Sequence, residues 1–395
     1  MPARASLPSV AIACGGTGGH LFPGLAVGEQ LLRRGLAVTL LVSPKEVDQA
    51  AVRNIRDMRI ATLPAVALTG KNFAGFLRGG LRSYRECRKL FRVHPPAAVL
   101  AMGGFTSAPP MLAGRRAGAK TFLHESNAIP GRANRWLSWV VDRAFVGFAE
   151  AAPRLHTGRV TVTGTPVRPQ FSNFQSAIRN PQSAIGNGCR RSLGLDPTRP
   201  TLLVMGGSQG ARGINDLFFA ALPGLRERAP QVQFIHLTGV PDFASAQQRH
   251  AAFQSGALVL AFSDAMETVM GAATAAVSRA GASSLAELAA LRLPALLVPY
   301  PAAADNHQWH NARAYVQTDA ALLLEQNSAT PEALVENVLA LLADAEGAGK
   351  FRAGLAAWDK PGAAEEIAVS ILQSLAIETS AAASSSPLRT APVHS

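Results

Sequence analysis

Apolar residues fall into short, nearly continuous runs separated by amphipathic stretches, the pattern of buried parallel strands alternating with surface helices. Residues 9–14 read as a buried strand and glycines follow at once. Residues 22–34 read as a helix with Pro23 in its first turn and Gly35 at its end, and 36–42 as the next strand. Further strands are predicted near 97–102, 120–124, 143–146 and 160–163. A second series then starts over, with strand 201–205, a glycine cluster, helix 211–222, strand 232–237, and strands near 257–262, 273–277 and 295–298 interleaved with helices. The expected architecture is α/β, two doubly wound domains facing a cleft.

Between the two series, 170–191 holds a near-repeat, 174–180 against 181–187, which reads as a solvent-exposed insertion. The division expected is a first domain at 1–168, an inserted low-complexity loop or linker at 169–199, a second domain at 200–360, a helix at 361–378 and a disordered tail at 379–395.

Composition narrows the classes. The chain has 395 residues, 48% of them hydrophobic, and a net charge of +12; it is globular rather than disordered, with an anionic partner implied. Cys14, Cys87 and Cys189 lie too far apart for a disulfide framework or a cysteine-based zinc site, so a reducing compartment is expected. The best apolar run, 293–304, is short and carries two prolines, so no span across a bilayer is expected, and the run after Arg4 is too soon interrupted by glycines for a signal peptide.

Glycine turns carry the chemistry. Gly15-Gly16-Thr17-Gly18-Gly19-His20 sits between a strand end and a helix start, where free backbone N–H groups attract anions. Gly103-Gly104-Phe105-Thr106-Ser107 and Gly206-Gly207-Ser208-Gln209-Gly210 recur in the same context, and a fourth site, Ser278-Arg279-Ala280-Gly281-Ala282-Ser283-Ser284, opens a helix bearing Glu287. Neither a dinucleotide G-x-G-x-x-G in register nor a P-loop occurs. A diphosphate held at 282–284 fits the last site; Glu287 fits either a ribose contact or a dipole-stabilising acid.

The ordered set Gly15-Gly16-Thr17-Gly18-Gly19-His20-Leu21-Phe22-Pro23-Gly24, His124-Glu125-Ser126-Asn127, Gly164-Thr165-Pro166-Val167-Arg168, Gly206-Gly207-Ser208-Gln209-Gly210-Ala211 and Arg279-Ala280-Gly281-Ala282-Ser283-Ser284-Leu285-Ala286-Glu287 closely resembles the MurG family. These are the bacterial glycosyltransferases that add N-acetylglucosamine from UDP-GlcNAc to lipid I (undecaprenyl-pyrophosphoryl-MurNAc-pentapeptide) and make lipid II. The resemblance covers roughly residues 8–375, apart from the insertion. It implies a GT-B fold of two Rossmann-like domains, inverting transfer with neither metal nor cofactor, and a peripheral place on the cytoplasmic face of the inner membrane.

Carried over by position, the resemblance places Thr17, Gly18, Gly19 and Asn127 near the donor sugar, Arg168 and Ser208 at the diphosphate, and Ser263 at the uracil. Ala282, Ser283, Ser284, Leu285, Ala286 and Glu287 match the helix start that holds phosphate and ribose. His307 and Gln308 stand where many relatives have two glutamines, and the sequence leaves open which reaches the sugar. His20 is the first candidate for general base, with Glu125 as competitor. No Asp-x-Asp motif occurs.

A lipid acceptor calls for a membrane-facing surface. Residues 71–92 carry seven cations, among them Arg78, Arg82, Arg85 and Arg88, against one acid, Glu86, with Phe73, Phe76, Leu77, Leu81 and Leu90 interleaved. That mixture suits an interfacial segment on anionic lipid; an ordinary surface helix is the alternative. No nucleic-acid motif accompanies the charge. Two other functions remain open at this stage: another UDP-sugar enzyme of the same architecture, such as a 2-epimerase, and a catalytically idle peripheral membrane protein.

Overall fold

The structure, a computed structural model, describes residues 8–16, 18–64, 73–175, 184–207, 210–346 and 349–384. Seven strands, β1 Ser9–Ala13, β2 Ala37–Val42, β3 Arg59–Thr62, β4 Ala98–Ala101, β5 Lys120–Glu125, β6 Arg143–Val146 and β7 Val160–Val162, form one parallel sheet in the order β3-β2-β1-β4-β5-β6-β7. Six more, β8 Thr201–Met205, β9 Gln233–Leu237, β10 Leu258–Leu260, β11 Ala275–Ser278, β12 Ala295–Leu297 and β13 Leu322–Leu323, form a second in the order β10-β9-β8-β11-β12-β13. All registered pairs are parallel, Val10 opposite Val38 and Ala98, Leu202 opposite Phe234 and Ala275.

Each sheet has helices on both faces, and the period of two along a strand sorts its side chains between them. Val10 and Ile12 pack into one apolar layer and Ala11 and Ala13 into the other; Leu202 and Val204 divide in the same way from Leu203 and Met205. Both sheets are doubly wound, with direction reversing between β1 and β4 and between β8 and β11. Ligands bind beyond the carboxyl ends of strands at such reversals. All four glycine-containing turns follow one of those four strands.

Several expectations change. The first helix spans Gly18–Arg33, so the glycine turn itself enters the helix and Pro23 lies inside it rather than in its first turn. The 169–199 segment is no simple loop: its described parts include helices Pro169–Gln175 and Ala184–Ser192, with Phe171, Cys189 and Arg190 buried. Arg190 fixes this linker by donating to Thr201 Oγ1, Thr274 Oγ1 and the carbonyls of Ala272 and Pro197. The middle of the near-repeat, 176–183, lies outside the described residues. The last helix, Ala363–Ser384, extends beyond 378 into the expected tail, of which 385–395 lies outside the described residues. Its Ile367, Ala368 and Ile371 share one core with Val10, Ile12 and Leu31, so this helix returns to the first domain.

The domains are joined at two adjacent crossings. Lys360 methylenes pack on Gly164, where a Cβ would lie 2.5 Å from Lys360 Cγ. Beside them Phe148 of the first domain meets Trp358 of the second at 5.1 Å, with Tyr315 stacked on Trp358 at 4.3 Å.

Candidate active site

Where the carboxyl ends of the two sheets face each other lies a cavity of about 640 Å³, walled by Gly18, Gly19 and Phe22 of the first domain and by the turns after β8 and β11 of the second. Of the residues singled out from sequence, Gly18, Gly19, Arg168, Ser263, Ala282, Ser283, Ser284, Glu287 and Gln308 line it. Thr17 and Ser208 lie outside the described residues. Asn127, Leu285, Ala286 and His307 stand behind or beside the wall rather than on it.

His20 follows the first turn and lies against the second. A Cβ on Gly103 would sit 2.8 Å from its Nε2, and one on Gly104 3.3 Å from its Cε1, so only glycine at both positions, each with positive φ, lets the imidazole settle there. Burial lowers the His20 pKa to about 4, opposed by the charge of Asp48 and reinforced by His307 and Lys45. The ring is therefore neutral at any physiological pH. Asp48 also fixes the turn: its Oδ2 accepts from the Gly16 N–H at 2.7 Å and from Ser43, while Lys45 Nζ donates to the Gly16 carbonyl at 2.8 Å.

Glu125 ends β5 and is buried. Its Oε1 accepts from Asn127 N and Nδ2 at 2.8 and 3.0 Å, its Oε2 from Gly131 N and Asn134 Nδ2, both at 2.9 Å. Burial raises its pKa against the pull of those four donors. The carboxylate is thus the organiser of loop 126–131. Next to it His124 donates from Nε2 to the Gly164 carbonyl at 3.1 Å, which leaves Nδ1 to accept from Ser126 Oγ.

Arg168 and Glu287, assigned from sequence to different parts of a donor, bind each other. Arg168 Nε and Nη2 donate to Glu287 Oε1 at 3.1 and 2.9 Å, with side chains only 12% and 10% exposed. The guanidinium also lies over Phe22 and Phe171, at 4.5 and 5.0 Å from the ring centroids. A planar, weakly hydrated cation suits such a sandwich between aromatic faces and a carboxylate. Burial raises the Glu287 pKa, opposed by Arg168. Among the described residues Glu287 Oε2 accepts no hydrogen bond.

Gln308 and His307 separate cleanly. Gln308 reaches the cavity and accepts from Tyr300 N at 3.0 Å; His307 donates from Nδ1 to the Ala304 carbonyl at 2.8 Å and acts electrostatically on His20. Just before them Asp305 and Asn306 are both left-handed, at φ 50° and 51°. That costly conformation aims the Asp305 carboxylate across the cleft at Arg132 and Arg135, at 3.4 and 3.2 Å.

Sequence reasoning missed Asn311. Fully buried on helix His307–Val316, it accepts from Ala128 N at 2.9 Å and donates to Asn127 Oδ1 and to the Ala280 carbonyl, each at 3.1 Å. Loop 126–131 of one domain is thereby tied to the helix start at Ala282 in the other. Phe262 and Tyr300, exposed aromatics lining the cavity, were also not singled out.

On the far face of the first sheet, helix Phe73–Val93 turns Ser83, Cys87 and Phe91 inward and leaves Leu77 and Leu81 53% and 50% exposed, beside exposed Arg78, Arg82 and Arg85 and half-buried Phe76 and Arg88. Leu90, expected on the interfacial side, packs inward instead. The side chain of Phe73 lies outside the described residues. Helix Arg132–Leu137, over the same sheet face, is followed by a turn, and between them they expose Trp136 and Trp139 by 53% and 68%. Among the described residues no helix is long and apolar enough to cross a membrane.

Comparison with known proteins accords with this geometry. The family models for the glycosyltransferase family 28 N-terminal and C-terminal domains match residues 10–146 and 201–357. A UDP-N-acetylglucosamine–N-acetylmuramyl-(pentapeptide) pyrophosphoryl-undecaprenol N-acetylglucosamine transferase from Desulforudis audaxviator (strain MP104C) is 36% identical over 93% of this chain and 98% of its own. One of the same name from Sorangium cellulosum (strain So ce56) is 34% identical over 92% and 88%. The crystal structure of Acinetobacter baumannii MurG superposes with a TM-score of 0.69 at 24% identity, covering 93% of this chain and 99% of that one; at that identity the likeness concerns the two-domain GT-B fold. By the extent of these matches, the chain belongs to the MurG family of glycosyltransferase family 28.

Proposed function

We propose that this protein transfers N-acetylglucosamine from UDP-GlcNAc to the 4-hydroxyl of MurNAc in undecaprenyl-pyrophosphoryl-MurNAc-pentapeptide, lipid I, giving lipid II and UDP in peptidoglycan synthesis. The observation that carries the reading is the interdomain cavity itself, with Gly18 and Gly19, which lead into His20, on one wall and Arg168, Glu287 and the helix start at Ala282 on the other.

In this reading the donor lies along the second domain. Its uracil meets the Ser263 backbone, its ribose meets Glu287 Oε2, its diphosphate meets Arg168, Ser208 and the amides at 282–284, and its sugar meets Gln308, Thr17, Gly18, Gly19 and Asn127. The acceptor enters from the first domain. His20 takes the proton of the muramyl 4-hydroxyl, and that oxygen attacks the anomeric carbon from the side opposite UDP. The bond from that carbon to the β-phosphate oxygen breaks and its electron pair leaves on UDP, so the configuration inverts. Arg168 and the helix amides stabilise the charge developing on the diphosphate. Glu125, with four donors already on its oxygens, serves by shaping the loop that carries Asn127.

The membrane side of the reading is peripheral association with the cytoplasmic face of the inner membrane. Leu77 and Leu81 enter the interface of anionic lipid and Arg78, Arg82, Arg85 and Arg88 meet the headgroups, with Phe73 and Phe76 at the start of the same helix; Trp136 and Trp139 are amphipathic side chains suited to the same depth.

The test is UDP release from UDP-GlcNAc in EDTA, with and without a short-chain lipid I analogue. Release that depends on the analogue supports the reading. Donor binding without release under either condition overturns it. His20→Ala is expected to lower turnover by about two to four orders of magnitude with UDP affinity nearly intact; near wild-type turnover removes His20 from the role of base.

A further inference from the structure

Pro23 sits inside helix Gly18–Arg33. It has no N–H, so the carbonyl four residues earlier, that of Gly19, lacks its α-helical donor. Ser283 Oγ donates to that carbonyl at 3.1 Å across the interdomain cleft. Ser283 is the second residue of helix Ala282–Leu291, and both partners line the cavity. Gly19 directly precedes His20, and Ser283 directly follows the first amide of the helix start. One hydrogen bond thus sets the register between the turn that carries the base and the turn that holds the diphosphate, one residue removed from each.

We propose that Ser283 is a positioning residue whose hydroxyl serves the proline-orphaned carbonyl of Gly19 rather than the donor's phosphates. The proposal rests on the glycosyl-transfer reading above. A side-chain hydroxyl is the right device for the place. A methyl group leaves the carbonyl of Gly19 without this donor, whereas threonine keeps the hydroxyl. Arg168, bonded to Glu287 and stacked on Phe22, and Asn311, bonded to Asn127 and the Ala280 carbonyl, hold the two domains together nearby, so losing this one bond misaligns the reacting groups without parting the domains.

Four full-length variants test this: Ser283→Ala, Ser283→Thr, Pro23→Ala and the double variant Pro23→Ala/Ser283→Ala, each with kcat and KM for both substrates, UDP affinity by calorimetry and a thermal melting curve. Ser283→Ala is expected to lower kcat about three- to tenfold, the worth of one neutral hydrogen bond, with UDP affinity unchanged, and Ser283→Thr to restore it. With alanine at position 23 a backbone N–H reaches Gly19 from within the helix, so the second change is expected to cost less than twofold in kcat and little in melting temperature. Weakened UDP binding with kcat unchanged assigns the hydroxyl to the diphosphate and overturns the proposal, as does an equal cost of Ser283→Ala in both backgrounds. Should wild-type protein release no UDP with the lipid I analogue, the glycosyl-transfer reading fails, and the melting cycle still decides whether Ser283 answers to Pro23.

Discussion

At the residue scale, a carboxylate that carries four donors on two oxygens cannot be exchanged for an amide without leaving some donor facing an NH2 group. Glu125→Gln is therefore expected to lower the unfolding free energy by about 1–3 kcal/mol, since whichever way the amide is turned two N–H groups that are at least partly buried lose their acceptor. Turnover falls with the loop and UDP affinity holds. A variant as stable as wild type but slower by orders of magnitude would instead make Glu125 the base. Asn311→Ala follows the same logic, orphaning the buried N–H of Ala128 and removing one donor from the Ala280 carbonyl, at a cost of about 2–4 kcal/mol in urea unfolding. The glycine turns, with His20 and Glu287 beside them, stand out in the sequence because each is a local pattern of backbone freedom beside a chemical group, whereas Arg168 is singled out only through the family resemblance. Asn311 carries no such pattern; its partner Ala128 lies 183 positions away. The mutual pairing of Arg168 and Glu287 was hidden for the same reason, 119 positions separating two groups that each look fit for a ligand.

At the scale of elements, helix Phe73–Val93 separates two contributions that vesicle binding can tell apart. Arg82, Arg85 and Arg88 replaced together by Gln are expected to weaken association with anionic vesicles by roughly 100-fold at low salt, about 1 kcal/mol per cation, and far less at 0.5 M salt. Leu77→Ser/Leu81→Ser is expected to weaken it at every salt concentration, because insertion of apolar surface is not screened. Binding that is indifferent to both changes returns the helix to an ordinary solvated face. The segment's mixed pattern was readable, but which of its apolar residues face out was not: Leu90 lies one turn from the inward-facing Cys87 and packs with it. Two strands escaped the pattern altogether. β3, Arg59-Ile60-Ala61-Thr62, mixes charge into an edge strand, and β13 has only Leu322 and Leu323. Edge strands lack the continuous burial that makes interior ones read as apolar runs.

At the scale of the whole molecule, both domains are built around histidines that the fold holds neutral. In the second domain His236 Nε2 donates to Asn215 Oδ1, whose amide nitrogen is committed to the Thr238 carbonyl and Asp242; His236 Nδ1 must then accept from His250 Nε2, and His250 Nδ1 from Ser255 Oγ. Burial lowers His236 to about 3 and His250 to about 4, with Arg249 pushing both the same way, and burial likewise lowers His124 in the first domain to about 4. A histidine depressed in the fold contributes its full stability above the unfolded value of about 6.5, and loses it as pH falls from there toward the folded value, because only the unfolded chain takes up the proton. Each of the three costs about 1.4 kcal/mol per pH unit below 6.5, roughly 2 kcal/mol apiece at pH 5, and together an amount comparable with the stability of a typical domain. Melting temperature is therefore expected to stay level between pH 7 and 8 and to drop steeply from 6.5 to 5. His250→Gln tests the assignment. An amide at that position can donate to His236 and accept from Ser255 without titrating, so the slope of unfolding free energy against pH between 6.5 and 5 should shallow by about one proton. An unaltered slope would place the acid sensitivity in other groups and release the Ser255–His250–His236–Asn215 chain from that role.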